Sequence, residues 1–61
     1  MKVRQVIRLL NQDGWVVTRM RGSHRQLKHP KKTGTVTVSG NNSADIPAGT
    51  LNSILKQAGL K

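Results

Sequence analysis

Apolar residues recur at Val3, Val6, Ile7 and Leu10, the spacing of one helix face, while Lys2, Arg4, Gln5, Arg8 and Gln12 occupy the other. Asn11-Gln12-Asp13 followed by Gly14 stops the pattern, which predicts a helix over about residues 2–13. Trp15-Val16-Val17-Thr18-Arg19-Met20 is rich in β-branched and aromatic residues and predicts a strand. Arg21-Gly22 reads as a turn, and Ser23 to His29 as a second strand anchored by Leu27. Pro30-Lys31-Lys32-Thr33-Gly34 punctuates a hairpin loop whose lysines are expected to face solvent. Thr35-Val36-Thr37-Val38 alternates with period two and predicts a short third strand. Ser39 to Asp45 is polar and turn-rich. Asp45 is expected to cap a second helix with Pro47 in its early turn, a stripe of Leu51, Ile54, Leu55 and Ala58, and Gly59 at its end.

The resulting order, α-β-β-β-α, defines an α+β fold. Two amphipathic helices cover one face of a three-stranded antiparallel sheet and leave the other open. Trp15 is expected in the core. Strand alternation places His24, Gln26 and Lys28 on one face and Arg25, Leu27 and His29 on the other. Leu27 belongs inward, so His24 should point outward. This outline resembles a double-stranded-RNA-binding domain (dsRBD-like), a fold that recognises A-form shape through phosphates and 2′-hydroxyls. The absence of Phe and Tyr fits that mode better than stacking of bases on rings.

Length and charge narrow the function. A chain of 61 residues makes one domain, residues 1–61, that buries only about 60% of its surface. With no cysteine, disulfides and thiolate metal sites are excluded, and His24 and His29 have no third ligand nearby for a structural zinc. Eleven Lys and Arg face two acidic residues, a formal net charge of +9. Such an excess repels itself and points to a polyanionic partner, whose counterions are released as its phosphates are neutralised. A basic membrane-surface peptide would be one long amphipathic helix, which the alternation of helix and strand patterns argues against. No apolar run approaches the ~20 residues of a membrane span, and Met1-Lys2-Val3-Arg4-Gln5 leads into a charged segment without a signal-peptide core. A cytoplasmic protein is expected.

Metal-assisted phosphodiester cleavage needs clustered carboxylates, and Asp13 and Asp45 each sit at an element boundary. No serine has both a positioned histidine and an orienting carboxylate. Histidine remains, because imidazole can take or give a proton near neutral pH. RNA carries its own nucleophile, the ribose 2′-hydroxyl beside each phosphate, so one base and some cations can suffice. His24 follows Gly22-Ser23 and opens a strand between Arg19, Arg21 and Arg25. The alternative for His24 is a surface histidine that contacts phosphate or solvent. His29, before Pro30, is expected to serve packing or loop shape. Gly22 either lets the backbone approach a phosphate closely or simply makes a hairpin turn.

From Gly14-Trp15, Arg19 and Gly22-Ser23-His24 to Gly49-Thr50-Leu51, Ile54-Leu55 and Ala58-Gly59-Leu60, the chain resembles the HicA family of toxin–antitoxin ribonucleases. The resemblance covers nearly the whole chain. It implies a toxin that cleaves messenger RNA without a metal or other cofactor, with His24 as the catalytic general base, and an antitoxin of the HicB family that occludes the active site. RNA rather than DNA is the expected nucleic acid. Arg19, Arg21, Gly22, Ser23, Arg25 and Lys28 are expected to contact it. The chain departs from the family where many relatives carry a Pro- or His-containing segment after the third strand: here it reads Ser39-Gly40-Asn41-Asn42-Ser43. Two other readings share the same charge and fold: an RNA-binding module without catalysis, and a protein-interaction module for an acidic partner.

Overall fold

A computed structural model describes residues 1–61. The chain runs α1 (Val3–Asp13), β1 (Val16–Arg21), β2 (His24–Lys28), β3 (Val36–Val38) and α2 (Ala48–Gln57), the expected α-β-β-β-α order. The three strands form one antiparallel sheet with β2 in the centre. Val3, Val6 and Leu10 from α1, Leu27 from β2, Val36 and Val38 from β3, and Ile54 from α2 meet in one core with Trp15, Ile46 and Ala58. The helices therefore share one sheet face, and the period-two alternation of β2 and β3 leaves the other face to solvent. No helix is long and apolar enough to cross a membrane.

Both helices end in the same hydrogen-bond pattern. After α1, the Gly14 N–H donates to Asn11 O at 3.0 Å and the Trp15 N–H to Leu10 O at 2.9 Å; after α2, Gly59 donates to Lys56 O and Leu60 to Leu55 O. Gly14 takes φ +109°, a conformation side chains disfavour, and so turns Trp15 into the core. The indole Nε1–H donates to Ala58 O at 3.3 Å, joining the ends of the two helices.

Three sequence-based expectations are corrected here. Asp45 does not cap α2: the cap position is Pro47, and no side chain bonds there. Asp45 instead bridges to Lys2 through the backbone and pairs with its ammonium at 3.3 Å, holding the start of α1 against the segment before α2. The tight turn is Gly22-Ser23, so Arg21 belongs to β1 and Ser23 lies outside β2. Lys32 does not face solvent freely. Its ammonium donates to the Asp13 carboxylate at 2.6 Å and to Ala58 O at 3.0 Å, fastening the β2–β3 loop to both helix ends.

Lys32 also holds the Asp13 carboxyl below its ordinary value near 3.8, chiefly through that hydrogen bond, against the opposing effect of desolvation. The sign of the consequence follows from linkage. A carboxyl whose folded value is depressed contributes stability that is fully present above its unfolded value and is lost as pH falls through the folded one. Asp13→Asn should therefore flatten the loss of stability below about pH 4, measured as urea midpoints across an acid series. The wild type should lose stability more steeply over that range.

Candidate active site

Gly22 has φ +59°, whereas Ser23, like every other non-glycine residue, has negative φ. This is the pattern of a type II′ turn, whose twist matches the strands it joins and whose first central position favours glycine. The turn closes on the pair Arg21↔His24, so it fixes the imidazole at the first position of β2, opposite a guanidinium.

The rest of the face follows from register, because directly opposite residues in an antiparallel pair share a face. Along β2, His24, Gln26 and Lys28 are exposed while Leu27 is buried. Opposite them on β1 stand Arg21, Arg19 and Val16. Simple alternation from the half-buried Val17 would have sent Arg19 and Arg21 to the helix side. A β-bulge prevents this: Thr18 has no partner, Val17 pairs with Leu27, and Arg19 pairs with Gln26. The Thr18 hydroxyl donates to Gln26 O at 3.3 Å and ties the extra residue across the ladder. One inserted residue thus turns both arginines onto the face of His24.

Of the expected RNA-contacting residues, Arg19, Arg21 and Lys28 share that face with His24, and Gly22 and Ser23 form the turn at its end. Arg25 does not join them. It alternates to the helix side, where its guanidinium donates to Gly40 O at 3.1 Å and to Asn42 Oδ1 at 2.6 Å. Asn42 O and Ala44 O in turn accept from the first N–H groups of α1, so Arg25 steadies the loop that caps that helix. Arg25→Ala should cost about 1.5–3 kcal/mol of stability in urea unfolding, the range of hydrogen bonds that involve a charged group. It should leave the salt dependence of RNA binding unchanged, whereas Arg19→Ala should lower that slope by about one.

His29 is also removed from the open face, as its expected packing role required. Its Nδ1 accepts from the Lys31 and Lys32 N–H groups at 2.9 and 3.2 Å, which leaves the proton on Nε2, 2.6 Å from Asp13 O. The ring meets Trp15 edge-on with centroids 5.3 Å apart. By contrast, His24 is exposed, and its imidazole makes no hydrogen bond within the chain. Both carboxylates of the chain are spent on lysines, Asp13 on Lys32 and Asp45 on Lys2. No carboxylate lies on the open face to compete with a phosphate.

Sequence reasoning had not singled out Thr18, Gln26 or Thr37. Alternation had placed Gln26 on the face of His24 but gave it no role, and Val36 and Val38 inward could have placed Thr37 outward. Nothing in the residue types announces the bulge.

A single histidine on a carboxylate-free, cation-flanked sheet face defines a small basic α+β protein equipped to receive a polyanion. A family model described as the HicA toxin of bacterial toxin–antitoxin systems matches residues 3–60. The chain belongs to that family of toxins of toxin–antitoxin systems. Among curated proteins, none matches the sequence.

Proposed function

We propose that the protein is a metal-independent endoribonuclease that cuts messenger RNA in the cytoplasm, with His24 as general base. The observation that carries this reading is the free, exposed imidazole opposite Arg21, on a face that holds Arg19 and Lys28 and no acid. Family membership supports an RNA target and an antitoxin partner of the HicB type.

In this mechanism Arg19, Arg21 and Lys28 hold the RNA backbone, and the Gly22-Ser23 turn leaves room for it beside His24. The imidazole removes the proton of a ribose 2′-hydroxyl. The 2′-oxygen forms a bond to the adjacent phosphorus, and the bond from phosphorus to the 5′-oxygen breaks. The products are a 2′,3′-cyclic phosphate and a 5′-hydroxyl, the latter completed by a proton from water or from a neighbouring cation. The guanidinium groups stabilise the charge that gathers on the phosphoryl oxygens. The nucleophile comes from the substrate, so the protein's task is positioning and one proton transfer.

The test is cleavage by purified protein in chelator, using RNA with a single 2′-deoxy position at a mapped cut site. Cutting on the 3′ side of that nucleotide should stop while other sites are cut as before. Continued cutting there would refute attack by the 2′-oxygen. Salt-sensitive binding of RNA that stays intact on long incubation would instead favour an RNA-binding module.

A further inference from the structure

The open face carries more than its cations. Register sorts its side chains into rows across the sheet. Arg21 and His24 form the first row, at the turn; Arg19, Gln26 and Thr37 form the second; Val16 and Lys28 form the third. Successive rows are two residues apart along β2, or about 6.8 Å at the usual strand rise. One nucleotide of an extended RNA backbone covers a similar stretch. A strand laid along β2 with its scissile phosphate over the first row sets the adjoining nucleotide over the second.

That second row has a chemistry of its own. Its centre is an amide and its far end a hydroxyl, both uncharged and exposed. Neither side chain has a hydrogen-bond partner within the chain; the Thr18 hydroxyl donates to the Gln26 backbone carbonyl and not to its side-chain amide. A cation holds every phosphate alike, whereas an amide presents a donor and an acceptor in one plane and can pair with a base edge through both. Trp15 is buried and there is no Phe or Tyr, so the only aromatic ring on this face is the His24 imidazole in the first row, and none lies in the second. In that row, hydrogen bonds remain to engage a base.

We infer that Gln26, with Thr37 beside it, reads the base of the nucleotide adjoining the scissile phosphate and thereby selects which sites are cut. The inference rests on the cleavage reading above. Gln26 acts in specificity: it touches the neighbouring base and takes no part in the proton transfer.

The experiment maps cut sites on an RNA pool randomised in sequence, for the unaltered protein and for Gln26→Ala, Gln26→Glu and Thr37→Val. The unaltered protein should show a base preference at one position next to the cut. Gln26→Ala should flatten that preference and slow cleavage of the favoured site by about 5- to 150-fold, the range of one bidentate base contact, while cutting of the pool persists. Gln26→Glu, which only accepts hydrogen bonds, should move the preference toward bases that bear an amino group and away from uracil. Thr37→Val should weaken the preference in the same position. If all variants cut the pool with the distribution of the unaltered protein, Gln26 does not read the base, and the cleavage reading stands. If the unaltered protein does not cut RNA at all, both fall.

Discussion

Replacing His24 with alanine is expected to slow RNA cleavage by about 10²- to 10⁴-fold in a single-turnover assay, the usual contribution of one positioned general base. RNA affinity should hardly change, because Arg19, Arg21 and Lys28 supply the phosphate contacts in the proposed mechanism. Folding should be untouched as well. The imidazole is exposed and bonds to nothing in the chain, and surface changes of that kind stay within about 0.5 kcal/mol. The contrast with Arg21→Ala is informative. Loss of the guanidinium opposite His24 should weaken binding and slow the chemical step together, since it both holds phosphate and faces the developing charge. A His24→Ala protein that binds and cuts at the wild-type rate would remove His24 from the mechanism. In cells, the same variant should relieve growth inhibition on expression, if that inhibition comes from cleavage.

The second large effect concerns stability. Gly14→Ala places a methyl group at a residue with φ +109°, and the added Cβ would meet His29 Nε2 at 2.7 Å. The imidazole cannot swing aside easily, because one nitrogen bonds Asp13 O and the other receives two loop N–H groups. Backbone strain of about 1–2 kcal/mol and overpacking of about 1–3 kcal/mol together predict a loss of about 2–5 kcal/mol. Small domains hold roughly 5–15 kcal/mol in all, so the change removes a large share. The melting temperature should fall by about 10 °C or more. The two causes can be separated by a double-mutant cycle with His29→Ala: the steric part should vanish in that background and the strain should stay. An unchanged melting temperature for Gly14→Ala would mean that this turn is not held as described.

The fold was legible in the sequence because its signals were local. The α1 stripe ends at a glycine, the third strand alternates cleanly, and Leu27 fixes which side of β2 faces inward. The outward direction of His24 followed from that one residue. What was not legible depends on contacts between distant segments. Asp45 looked like a cap, yet its carboxylate is claimed by Lys2, more than forty residues earlier in the chain. Lys32 looked like a loop charge, yet Asp13 and Ala58 hold it. The bulge at Thr18 was the most consequential omission. Without it, Arg19 would have been assigned to the helix side, and only the pairing of β1 with β2 shows otherwise. Alternation along β2 already set Arg25 with Leu27, away from His24, although its charge had drawn it into the expected RNA contacts.

The segment from Ser39 to Ala44 serves α1 chiefly through backbone oxygens. Asn42 O and Ala44 O receive the helix N–H groups, and Gly40 O receives Arg25. Carbonyl oxygens are the same whatever side chains accompany them. Apart from Gly40, at φ +106°, and Asn42, whose Oδ1 accepts from Arg25, substitutions in this stretch should therefore be tolerated so long as its path is kept, without disturbing the strand that carries His24.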